Sequence, residues 1–183
     1  DLYVRRARVL TKDKRHEEAL QDLLLAKDFN ASNYRIPYYT GIVYADLAQY
    51  ENAISQFTKA IELRKGYGEA YAARAQARLG LGDLVQARKD YDVAVDYTSY
   101  RPERMLVKRA AFFFGQELYE EAVVDYRLAR EKNPRHAKAW LGETQAAIKL
   151  GDTTGALYAI NEYLKLKPKS EEALAIKKEL TGT

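Results

Sequence analysis

The sequence predicts an all-α solenoid of antiparallel helix pairs, on three observations. Five alanines, Ala19, Ala53, Ala87, Ala122 and Ala156, recur at intervals of 34 or 35 residues. A second column, Ala7, Gly41, Ala75, Ala110 and Thr144, keeps the same beat. Between the columns the apolar spacings are helical, with no strand-like alternation. Self-similarity at this period means one supersecondary unit stacked on copies of itself. The columns are small because two helices interlock tightly only where one presents Ala or Gly to the other, with larger neighbours filling the space around the contact.

Residues 34–67 serve as the reference unit. Its first helix carries Gly41 and, three residues on, Tyr44; a break is predicted near Ala48 to Glu51; its second helix carries Ala53, Phe57 and Ala60. The other second helices repeat the trio as Ala19, Leu23, Ala26; Ala87, Tyr91, Ala94; Ala122, Tyr126, Ala129; and Ala156, Ile160, Tyr163, of which only the last closes with a large residue. Gly82-Asp83 and Gly151-Asp152 place a helix-ending glycine beside an aspartate able to cap the next helix, while Pro134 and Pro168 follow second helices that a proline cannot continue. Pro37 is expected within an opening turn, where its missing N–H costs little. The units run about 1–33, 34–67, 68–102, 103–136 and 137–170 within a single domain, 1–183.

With 47% hydrophobic residues the chain has ample material for a continuous core. Its 30 Lys+Arg against 26 Asp+Glu give a formal charge of +4, a mild excess that favours acidic partners without requiring nucleic acid. The absence of cysteine removes disulfides and thiolate chemistry and leaves reducing and oxidising compartments both open. No apolar run reaches the 18 or so residues of a membrane span, and a soluble protein is expected, with a cytoplasmic setting slightly preferred. The N-terminus lacks the order of a signal peptide, and because Asp1 falls directly inside the first repeat, the chain reads as a mature form or an excised piece.

These columns resemble the tetratricopeptide repeat, whose large, small, aromatic, Ala, aromatic, Ala and Pro positions span 34 residues. The resemblance covers nearly the whole chain as five repeats plus a lone polar terminal helix over 171–181, and it implies a right-handed superhelix. Arg78 at an aromatic position, Thr144 at a small one, Tyr163 at an alanine one and an extra residue near Thr98 to Pro102 depart from it.

Catalysis is not expected. His16 takes the place that Tyr50, Leu84 and Tyr119 hold at the start of a second helix, where packing or capping explains it, and His136 opens a first helix as a solvated residue. Two distant histidines and no cysteine leave nucleophile–base and metal constellations without their parts, so no cofactor is expected. Gly80-Leu81-Gly82-Asp83 has no preceding strand and no third glycine, and a turn between paired helices accounts for it.

The resemblance implies protein binding through a concave groove lined by the second, fifth, sixth, ninth and twelfth positions of the first helices. In the second repeat these positions hold Tyr38, Tyr39 and Ile42, an aromatic and apolar patch; Glu69 and Gln76 follow in the third. In the fourth and fifth, Arg104, Lys108 and Lys138 are cationic, with Phe114 and Gln145 beside them and no acid at those positions. The expected partner is a protein segment, extended or helical, with an apolar anchor and acidic residues. One subfamily clamps a chaperone's C-terminal carboxylate; Arg104 and Lys108 match its last pair in charge, but Tyr38, Ile42 and Ala73 replace its other members, so chaperone-tail recognition is not implied. RNA binding is the alternative, since helical arrays of similar period read bases. The second positions (Asp1, Arg35, Glu69, Arg104, Lys138) and fifth positions (Val4, Tyr38, Ala72, Val107, Leu141) contain no repeated polar pair for such a code, so nucleic acid is not the expected ligand.

Overall fold

The computed structural model describes residues 2–182, all of whose regular elements are helices; Asp1, the first of the second-position residues, lies outside them. The chain forms two compact units, Asp1–Thr98 and Ser99–Thr183. The first contains α1 (Leu2–Lys12), α2 (His16–Phe29), α3 (Arg35–Asp46), α4 (Tyr50–Leu63), α5 (Gly68–Gly80) and α6 (Leu84–Tyr97). The second contains α7 (Glu103–Gly115), α8 (Tyr119–Lys132), α9 (Ala137–Lys149), α10 (Thr153–Leu166) and α11 (Glu171–Thr181). Odd-numbered helices through α9 are the first members of pairs, even-numbered ones the second, and α11 is the expected terminal helix. Pro37 is the third residue of α3, inside the opening turn.

Both small columns are sealed. Ala19, Ala53, Ala87, Ala122 and Ala156 are 0% exposed, as are Ala7, Ala75, Ala110 and Thr144. At Gly41 a Cβ would stand 2.6 Å from the Phe57 ring of the paired helix, so closer packing than alanine allows is built into that repeat. Thr144 is tolerated in the same column because its hydroxyl donates to the Trp140 carbonyl at 2.9 Å and leaves no polar atom orphaned. The core of the first unit gathers along these columns. One cluster joins Val4, Ala7 and Leu10 to Leu23, Ile36 and Val43, and a second joins Ala53 and Phe57 to Ala77.

The turn inside each pair uses one conformation. Lys14 (φ 61°), Ala48 (φ 57°), Gly82 (φ 78°), Glu117 (φ 60°) and Gly151 (φ 74°) occupy the same left-handed slot. In two turns the next residue caps the helix: the Asp83 carboxylate accepts from Gln86 N–H at 3.2 Å, and the Asp152 carboxylate from Gly155 N–H at 2.8 Å. In the other three the cap positions are Arg15, Gln49 and Leu118, none of which makes a side-chain cap bond. An L-residue in the left-handed slot costs on the order of 1 kcal/mol, so those three turns are held by packing rather than by local preference.

Candidate functional site

In the first unit, Tyr38, Tyr39 and Ile42, expected to line a groove, are half-buried and knitted into the helix pairs. The Tyr38 ring meets Tyr39 at 5.1 Å, Tyr67 at 5.0 Å and Phe57 at 5.9 Å between centroids, so α3, α4 and the entry to α5 converge on it. Tyr39 packs on the cluster built around Val4 and Leu23, and Ile42 on the one built around Ala53 and Phe57. Gln76 is exposed, and its side-chain oxygen accepts from the Tyr91 hydroxyl at 3.1 Å. Tyr34 and Tyr67 meet edge to face at 4.8 Å, with the Arg64 guanidinium 4.7 Å over the Tyr34 ring. Burial, reinforced by the neighbouring Tyr38 phenol, pushes the Tyr67 phenol far above its ordinary value. This patch is a half-buried aromatic wall whose rings pack on one another.

The second unit presents a different surface. Arg104, Lys108 and Lys138 are exposed, while Gln145 and Phe114 are half-buried, the latter set edge to face against Tyr119 at 5.3 Å. Trp140 of α9 is 5% exposed, its indole N–H donating to the Pro134 carbonyl at 2.7 Å and the Arg130 guanidinium stacked 4.7 Å from its ring. Burial raises the Tyr126 phenol to about 12.

A feature that the column reading missed runs through both units. The residue just before the small one in the first helix pairs with a carboxylate 16 positions later in the second helix. Arg6 donates to Asp22 at 2.6 Å, Arg74 to Asp90 at 2.8 and 2.9 Å, and Arg109 to Asp125 at 2.7 and 2.8 Å. Arg78 joins Asp90 at 2.8 Å and donates to the Gln86 carbonyl, which accounts for an arginine at an aromatic position. In the fifth repeat the order is inverted: Glu143 holds the arginine's place, and Arg127 and Arg130 of α8 donate to it at 2.8 and 2.7 Å. In the second repeat the corresponding residues are Thr40 and Gln56, and the Thr40 hydroxyl turns back to the Ile36 carbonyl at 2.9 Å. A count of residues at positions 16 apart would have found the ladder in the sequence.

Among the described residues no three or more His, Asp or Glu side chains gather as a metal site, and no helix is long and apolar enough to cross a membrane. His16 is half-buried with Nε2 3.6 Å from an Asp46 carboxylate oxygen, and His136 is half-buried at the start of α9 rather than solvated as the sequence suggested.

A family profile described as Tetratricopeptide repeat matches residues 40–102 and 109–171. RNA polymerase II-associated protein 3 of Xenopus laevis is 29% identical over 113 residues, 61% of this chain and 16% of that protein. The human mitochondrial import receptor subunit TOM70 is 25% identical over 138 residues, 73% of this chain and 23% of the receptor. The chain thus spans less than a quarter of either relative. The crystal structure of YrrB, a repeat protein of this kind with an unusual peptide-binding site, superposes with a TM-score of 0.70 at 20% identity, covering 96% of this chain and 90% of that one.

Proposed function

Because the chain belongs to the tetratricopeptide repeat family, a protein–protein interaction scaffold by fold, we propose that its first-helix faces receive a partner segment that is acidic in part and carries an aromatic or aliphatic anchor. The observation that carries this reading is the exposed set Arg104, Lys108 and Lys138 in the second unit, on helix faces where the binding positions hold no acid. The half-buried Tyr38, Tyr39 and Ile42 in the first unit supply the apolar counterpart. Cations of this kind accelerate association and make it sensitive to salt, whereas an aromatic anchor governs residence time. The peptide-binding site named for YrrB supports the same class of ligand, and the proposal includes no catalytic step and no cofactor.

The test is quantitative capture from the source lysate with the parent beside Arg104→Glu/Lys108→Glu/Lys138→Glu. Proteins retained by the parent and lost by the variant are the expected result. An unchanged set of captured proteins would mean that the partner uses another surface. RNA in place of protein among the salt-sensitive ligands would favour the alternative class.

A further inference from the structure

We propose a second binding site in the first unit, a cleft between α2 and α4 floored by α3, whose ligand is an amphipathic helical segment of a partner protein with two aliphatic anchors and neighbouring acidic residues. It rests on the protein-binding reading above but not on the faces that reading uses.

The cleft exists because one rung of the ladder is absent. In the third repeat the equivalent space is filled from within: Arg74 of α5 reaches Thr58 of α4 at 3.0 Å on one side and Asp90 of α6 on the other. In the fifth repeat Arg127, Arg130 and Glu143 close the space beside α9. In the second repeat the three corresponding residues are Leu24, Thr40 and Gln56, none of them charged, so no ion-paired plug forms. What remains is an opening of about 580 Å³ that all three of them line. Its size is that of a binding pocket rather than of a packing defect.

The walls have the periodicity of a receptor for a helix. Leu20, Leu24 and Lys27 line it from α2, Gln56, Lys59 and Leu63 from α4, and Ile36, Thr40 and Tyr44 from α3. Seven residues separate Leu20 from Lys27 on α2 and Gln56 from Leu63 on α4, so the cleft is about 10 Å long and accepts two turns of a helix, that is, anchors at i and i+3 or i+4. Leu24 and Leu63 are 62% and 46% exposed, so the apolar lip stays open to water and would not enclose a small molecule as ligand pockets do. Charge complementarity selects the remaining feature of the ligand. Lys27 and Lys59, one on each wall, are in no ion pair among the described residues and outnumber Glu62, the acid on the rim.

The probe is a displayed library of amphipathic helical peptides about 15 residues long, selected on the parent protein and assayed by fluorescence anisotropy. The discriminating variant is Thr40→Arg/Gln56→Asp, which installs the rung that three other repeats carry and fills the cleft; circular dichroism verifies its fold. Leu24→Arg, at an exposed position where α8 already has Arg127, gives an independent second variant. The expected result is enrichment of paired aliphatics at i, i+3 or i+4 beside Asp or Glu, with affinity falling about tenfold or more on both variants. Lys27→Glu/Lys59→Glu should weaken binding about threefold, an effect that vanishes at high salt. Equal binding to parent and variants, decanoate binding without peptide binding, or no enrichment would each overturn the site. Peptides lost on Tyr39→Ala but kept by Thr40→Arg/Gln56→Asp would overturn it too, while supporting the first-helix face.

Discussion

Two spaces in the first unit occupy equivalent places in successive repeats and are filled in opposite ways. The one flanked by α4, α5 and α6 is closed by a guanidinium that spans from Thr58 to Asp90, with Arg78 as a second cation on the same carboxylate. The one flanked by α2, α3 and α4 holds a threonine bonded to its own helix and a glutamine, and stays open. The helix framework is the same in both, and the alanines that set the approach of each pair are equally buried. Substitution at one pair of positions thus converts a structural rung into a cavity without disturbing the scaffold. A solenoid tolerates this because each repeat answers only to its neighbours, so a local vacancy is not propagated.

The contrast is sharpest at the carboxylate. Asp90→Ala should cost about 3 kcal/mol, because Arg74 and Arg78, with side chains 14% and 20% exposed, are left uncompensated. Gln56→Ala, at the equivalent place in the open space, should stay within about 0.5 kcal/mol. Urea denaturation of the two variants measures the difference, and equal costs would mean that the ladder contributes no stability.

The alanine columns should be equally intolerant in both units, which separates the scaffold from its filling. Ala53→Leu and Ala122→Leu should each cost about 2 kcal/mol by overpacking, since both positions are 0% exposed. Lys178→Ala on the exposed side of α11 should cost far less. Thermal melts in parallel decide this, and a melting temperature unchanged by Ala53→Leu would contradict the interlocked pairs.

Installing the missing rung should reverse the sign. Thr40→Arg/Gln56→Asp is expected to stabilise by about 1 kcal/mol, the value of a partly exposed charged pair with bidentate geometry. Chemical denaturation reads this directly, and a loss of more than about 1 kcal/mol would show that the open space is conformationally required. At the turns, Ala48→Gly and Glu117→Gly should gain somewhat less than 1 kcal/mol each by relieving a left-handed residue, offset by glycine's entropy in the unfolded chain. Gly82→Ala at the same slot should lose a comparable amount.

Helix pairs were legible because the residue that enforces close approach is small, and smallness is written in the letter itself. Ala19 and its successors can be read without knowing what they touch. The cap pairs Gly82-Asp83 and Gly151-Asp152 were legible for the same reason, since their geometry is local. Lys14, Ala48 and Glu117 were not, because nothing in those residues announces a left-handed conformation that packing imposes. The ladder was hidden differently. Arg74 and Asp90 are ordinary surface residues in type, and only their recurrence at a fixed offset marks them as a pair; a reading that sampled the groove positions passed over the one between them. Tyr38 shows the limit from the other side. Its position was identified, but the three rings it meets belong to contacts that no single column encodes.

Trp140 is the sole tryptophan, and it belongs to the second unit. Held against the Pro134 carbonyl, beneath the Arg130 guanidinium and edge to face with Tyr158 of α10, its indole leaves an apolar, cation-capped setting when α9 parts from α8 and α10. The protein therefore carries an optical label on one half of its length. Emission wavelength follows the second unit, while far-ultraviolet dichroism sums the helices of both. If the two signals lose their structure at different denaturant concentrations, the first unit's melting is the remainder of the dichroism curve, and each half acquires its own stability without a single residue being replaced.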